Sequence, residues 1–146
     1  MRNGLMLTCL ALCACGSSNG SSGLNAAFAK TWTGTTTTTV SGQTFTGTNG
    51  HLTITVSGNN ATVNTVCPDA SGSVNATGSG NSASWSGTLA CPPVQVTGCP
   101  SSLTLTYTTA ALTLSSDNKT LNVQAGGTVS GCTFSNTPFT TTFVGT

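Results

Sequence analysis

From Lys30 onward the chain alternates with a period of two. Trp32, Gly34, Thr36, Thr38 and Val40 share one phase, and threonine fills the odd positions from Thr31 to Thr39. Leu52, Ile54 and Val56 repeat the pattern against His51, Thr53 and Thr55. Ala61 then pairs with Val63, Val74 with Ala76, Ala83 with Trp85 and Leu89, and Leu103 with Leu105 and Tyr107. Leu121, Val123 and Ala125 share a phase, as do Phe139, Thr141 and Phe143. Successive side chains of a strand point to opposite faces, so alternation in segments this rich in Thr and Val predicts half-buried β-strands. Near Thr109 to Leu112 the inward phase slips from odd to even positions. A β-bulge is expected there, because one extra residue exchanges the two faces.

Turn signals divide these runs. Ser57-Gly58-Asn59-Asn60, Gly78-Ser79-Gly80-Asn81 and Ser115-Ser116-Asp117-Asn118-Lys119 read as tight hairpin turns. Longer connections are expected at Pro68 to Ser71, Pro92 to Ser102 and Ser130 to Pro138. The fold class is therefore all-β, an antiparallel up-and-down meander of about eight strands over residues 29–146. A closed barrel is preferred and a β-sandwich is the alternative, since closure removes edges along which Thr-rich, uncharged strands aggregate. Eight strands enclose room for side chains or for one small ligand. Trp32, Trp85, Tyr107, Phe139 and Phe143 fall mainly on the inward phase, where they fill the core or line a site for an apolar ligand.

Composition changes the picture chiefly by what it excludes. Only 3% of the 146 residues are charged and the net charge is +1, which leaves no basic surface for nucleic acid. The abundance of Thr and Val argues against disorder. A mostly Thr and Ser outer phase lacks the apolar band of a membrane barrel. Catalytic chemistry has little to draw on: Asp69 and Asp117 are the only carboxylate side chains and His51 the only histidine. Both aspartates sit in turn-like surroundings, and no nucleophile motif surrounds His51. No phosphate loop or zinc-protease motif is present. No enzyme activity, metal or cofactor is expected.

The amino terminus is of a different kind. Arg2 precedes an apolar run from Leu5 to Ala14, and a Gly/Ser/Asn tract follows, which is the order of an export signal. Leu12-Cys13-Ala14-Cys15-Gly16 resembles the lipobox of bacterial lipoproteins. That resemblance implies removal of residues 1–14, acylation of Cys15, a membrane anchor and delivery to the outer membrane, with a plain secreted protein as the alternative. Residues 15–28 read as a flexible tether. Trp32-Thr33-Gly34 resembles the first-strand region of lipocalin-like barrels, and residues 30–146 look like small barrel domains of envelope lipoproteins.

Four of the seven cysteines remain in the domain: Cys67, Cys91, Cys99 and Cys132. Their spacing lacks the short pairs of a zinc site, and an exported chain meets an oxidising compartment. In an up-and-down path all four fall at the pole opposite the tight turns. Bridging demands neighbouring Cα atoms, so Cys67–Cys91 with Cys99–Cys132 is preferred over Cys91–Cys99 with Cys67–Cys132. The function expected first is a structural or interaction module of unknown protein partner on an acyl anchor. A lipocalin-like carrier of a small apolar ligand is the second reading.

Overall fold

The computed structural model describes residues 23–146; the expected export signal, the lipobox-like stretch and Cys15 lie outside the described residues. Eight antiparallel strands form one meander: β1 (Thr31–Val40), β2 (Gln43–Ser57), β3 (Asn60–Asn64), β4 (Ser73–Ser79), β5 (Ser82–Ala90), β6 (Thr104–Leu114), β7 (Leu121–Gly131) and β8 (Phe134–Gly145). Each pairs with its neighbour, and β1 pairs with β8 from Gly34↔Gly145 to Val40↔Phe139, which closes the barrel. The three tight turns and both ends of the ring lie at one pole. The four cysteines lie at the other, at the ends of strands that run towards it.

The ring is uneven. β3 matches β2 only over Thr53–Ser57, and β4 matches β5 only over Ser82–Ser84. Towards the cysteine pole, the first half of β2 and the second half of β5 therefore each have one strand neighbour. The connection 65–72 lies between them. The Cys67–Cys91 disulfide joins that connection to the end of β5, and Cys99–Cys132 joins the 91–103 connection to the β7–β8 turn. The preferred cysteine pairing is the one observed.

Inward burial follows the alternation closely. Trp32, Ile54, Ala61, Val63, Val74, Ala76, Ala83, Leu121, Val123 and Phe143 are buried. The expected bulge is present, slightly earlier than the phase suggested. Tyr107 pairs with Gly127 and Thr109 with Gly126, so Thr108 is the extra residue. Beyond it Leu112 and Leu114 point inward, on even positions.

Two expectations need correction. Residues 23–28 are not tether. Leu24 bridges to Gly80, a 3-10 turn spans Ala26–Phe28, and Phe28 is 0% exposed. Asn25 caps that turn, accepting from the Ala27 amide at 2.9 Å, while its own Nδ2 donates to Asn81 at 2.8 Å and Asn118 at 2.9 Å. Those two asparagines belong to neighbouring turns of the pole, so the segment is stitched across its mouth as a plug. Second, Ser130 to Pro138 is no long loop, because β7 and β8 continue to a turn at Cys132-Thr133. Between Val40 and Leu52, where the alternation makes no prediction, the chain is strand after a Ser41-Gly42 turn, which starts a β2 of 15 residues.

If the plug completes the core, Phe28→Ala should cost about 3–5 kcal/mol, the usual loss for truncating a buried aromatic. Denaturant unfolding measures it. A cost below about 1 kcal/mol would mean that residues 23–28 rest on the barrel without supporting it.

Candidate functional site

The barrel is filled towards the tight-turn pole, and towards the cysteine pole a second buried cluster of Val40, Cys67, Cys91, Tyr107, Val129 and Phe139 leaves a cavity beside it. Towards the tight-turn pole, Phe28, Trp32, Ile54, Leu112 and Leu121 are the largest fully buried side chains and pack as one cluster. The Trp32 indole donates to the Phe28 carbonyl at 3.0 Å, and the Lys30 ammonium lies 3.7 Å from its ring centroid. Trp32 is therefore a plug residue, remote from any opening.

Towards the cysteine pole Thr36, Thr38, Ala125 and Thr141 occupy inward positions of β1, β7 and β8, and a cavity of about 350 Å³ opens beside them. Its wall combines Thr36, Thr38 and Thr141 with Leu52, Leu105, Tyr107, Val123, Ala125 and Phe143. Asn49, Gly50, His51, Thr65, Pro68 and Ala70 stand at its rim. The volume falls at the lower end of the ~300–1,000 Å³ typical of small-molecule sites. A second, smaller void of about 40 Å³ continues inward between Trp85, Tyr107, Leu112 and Val123.

Polar atoms in this wall are few and organised. Thr38 and Thr141, partners across the β1–β8 seam, share a hydroxyl hydrogen bond of 2.8 Å. Burial of the Tyr107 phenol holds its pKa above the ordinary tyrosine value, and the neighbouring Thr141 hydroxyl offsets only part of that rise. Tyr107 is fixed from behind by Phe139, edge to face at 5.1 Å between centroids. The site thus offers a line of neutral hydroxyls set into an apolar wall.

The five inward aromatics separate into distinct places. Tyr107 and Phe143 line the cavity, Phe139 supports Tyr107, Trp85 is half-buried beside the smaller void, and Trp32 belongs to the plug. The cavity's threonines, Thr36, Thr38 and Thr141, carry no mark of a site in the sequence beyond their phase. Their inward phase on β1 and β8 was the available signal.

The titratable residues do not converge. His51 is exposed at the rim. Asp69 accepts from the amide and hydroxyl of Ser71, at 3.1 and 2.6 Å, in the 65–72 connection. Asp117 accepts from Ser115 Oγ at 2.6 Å and the Lys119 amide at 3.1 Å, at the opposite pole. Those hydrogen bonds lower both carboxyl pKa values, the serine hydroxyl contributing most in each. Both aspartates shape turns. Comparisons with family models, curated proteins and solved structures return no match to the chain.

Because its folded pKa is raised, Tyr107 favours the fold fully below its unfolded pKa of about 10. That contribution is lost as pH rises beyond it, since the unfolded chain then ionises first. Alkaline unfolding curves should steepen above about pH 10, and Tyr107→Phe should flatten them. An unchanged alkaline limb in the variant would place the responsible group elsewhere.

Proposed function

We propose that this chain is an exported, lipid-anchored envelope protein whose barrel holds one small, neutral, largely apolar molecule. The observation that carries the ligand reading is the cavity at the cysteine pole of a barrel plugged at the other end. Packing of the full interior would have favoured a purely structural or interaction module. Eight-stranded barrels have room for one small ligand when side chains leave it, and here Thr36, Thr38, Ala125 and Thr141 leave it.

Wall chemistry selects the ligand class. No Lys, Arg, Asp or Glu lines the cavity. Burying an unpaired charge is costly, so an ionised head group finds no counterpart there. A hydroxyl or carbonyl does, against Tyr107 and the Thr38–Thr141 pair. Export is supported by the resemblance of Leu12 to Gly16 to a lipobox and by two disulfides, which persist in oxidising compartments. The chain enters the domain at the plugged pole. An anchor at Cys15 therefore leaves the cavity mouth at the pole away from the membrane.

Native mass spectrometry of the protein purified from its membranes should show an added neutral small-molecule mass. Ala125→Trp, which fills the cavity, should abolish both that mass and the uptake of N-phenylnaphthylamine, a neutral apolar fluorophore. A wild-type protein that carries no added mass and takes up no fluorophore overturns the carrier reading. The anchor is tested separately: Cys15→Ser should move the protein from the membrane to the soluble fraction, and retention in the membrane would overturn lipidation at that residue.

A further inference from the structure

The outer wall of the barrel carries a second concave feature, larger than the cavity inside it. It crosses β4 to β8 and encloses about 810 Å³. The strand register accounts for its shape. One row of outward side chains runs through Thr77, Ser84, Ala111, Gln124 and Thr142 by successive pairings. A second row, two residues along each strand, runs through Ser86, Thr109, Gly126 and Thr140, with Asn75 on β4 completing that wall. Trp85, Ala110 and Ala125 lie between the rows and pack into the barrel core. The space between the rows is therefore a trench floored by their backbone. Five strands at ~4.8 Å spacing give it a length of about 19 Å. Gly126 keeps the middle open. Its φ is not left-handed, so the backbone would take a side chain, but a Cβ there would stand 3.3 Å from Thr109 Oγ1, inside the trench.

The lining carries no titratable group. Its hydroxyls and amides can each donate and accept. Asn75 accepts from the Thr62 hydroxyl at 2.8 Å, while Thr77, Ser84, Gln124 and Thr140 are exposed and turned to solvent. Ligand classes fall away in turn. A phosphate-bearing chain finds no cation. A lipid tail would strip water from the hydroxyls without replacing their hydrogen bonds. A peptide strand has no sheet edge to join, because β6 and β7 are paired on both sides through these rows. A neutral chain bearing hydroxyls of its own satisfies both rows at once. We propose that this trench binds an extended, uncharged polysaccharide strand, its hydroxyls bonded to the two rows and its C–H faces resting on Ala111 and the threonine methyl groups. A β-linked chain stays flat and straight over such a span, whereas an α-linked one coils. The site is independent of the apolar cavity on the other side of the same wall.

Cellohexaose and chitohexaose, two uncharged β-linked hexamers, should bind the full chain in isothermal titration calorimetry, in a detergent without sugar head groups. Maltohexaose, which coils, should bind at least ~10-fold more weakly. Ala111→Trp fills the trench from an exposed strand position, and Gln124→Ala removes an amide from one row. Each should weaken binding of the β-linked hexamers at least ~10-fold, with melting curves still cooperative. Thr55→Trp, at an exposed position of β2 outside the trench, should bind as wild type. Ala111→Trp should still take up N-phenylnaphthylamine, since residue 111 does not line the cavity. High salt should leave the affinity unchanged, because no charge takes part. Wild-type protein that binds neither β-linked hexamer overturns the site. Undiminished binding by Ala111→Trp, or an equal loss in Thr55→Trp, places the glycan elsewhere and overturns it too. Equal affinity for maltohexaose overturns the selection for an extended chain, and loss of binding in high salt overturns the uncharged class.

Discussion

Closure between β1 and β8 is the constraint on which this molecule depends. Without that ladder the sheet has two more edges and no inside, and nothing else in so uncharged a chain would exclude water from the apolar phase. The seam is set by glycine where the strands first meet. A Cβ on Gly34 would strike the Val144 carbonyl, and one on Gly145 would enter the Phe143 ring and reach Trp32. Backbone approach at this pair lets Trp32 and Phe143 occupy the interior. Further along the seam, Thr38 and Thr141 add a hydroxyl bond inside the barrel.

The uneven ladder explains the place of the Cys67–Cys91 disulfide. Where β3 and β4 stop short, the barrel wall near the cysteine pole is built by the 65–72 connection, which lacks a strand's hydrogen bonds. Cys67 is buried there, and its bridge to Cys91 holds the connection against β5. In the chain-entropy model each closed loop of this size is worth ~3–4 kcal/mol. That is a substantial part of the ~5–15 kcal/mol by which domains are stable. The Cys67–Cys91 link stands where the hydrogen-bond ring is weakest, whereas Cys99–Cys132 ties the 91–103 connection to the well-paired β7–β8 turn.

The legible parts of the fold were those that bury something. Period-two runs, the phase slip near Thr109 and the polar placement of four cysteines each reflect a face that must meet the core, and register follows from that demand. The parts that escaped are those where this demand fails or is disguised. From Gln43 to Asn49, β2 is exposed on both faces, so no alternation of apolar and polar residues marks it as strand. Leu24 and Phe28 lie in a small-residue tract whose composition reads as linker; their large apolar side chains were the signal that the tract docks. The Ser130–Pro138 segment carries Gly131, Asn136 and Pro138, all loop-forming in isolation, yet Thr137 and Pro138 still match Val129 and Thr128 in the ladder. Pairing across the sheet overrode local preference.

The cavity was legible only in part, because it is a matter of side-chain volume and not of pattern. The inward phase reads alike along the whole length of β1 and β8, and both halves satisfy the same alternation. What differs is size. Indole, phenyl and leucine groups meet at the plugged end, whereas Thr38, Thr141 and Ala125 stand side by side on the adjacent strands β1, β8 and β7, with Thr36 next along β1. A barrel of fixed strand number cannot shrink locally to follow them, since its diameter is tied to the number and stagger of its strands. The missing volume therefore remains as a space of about 350 Å³, lined by the hydroxyls that replaced the hydrocarbon. Empty cavities in proteins are usually apolar and polar ones are wet, so a hydroxyl-lined hollow rimmed by loops is already solvated. A ligand entering it displaces water from an apolar wall and inherits the hydrogen bonds of Tyr107 and Thr141, which is the energetic basis of the proposed carrier role.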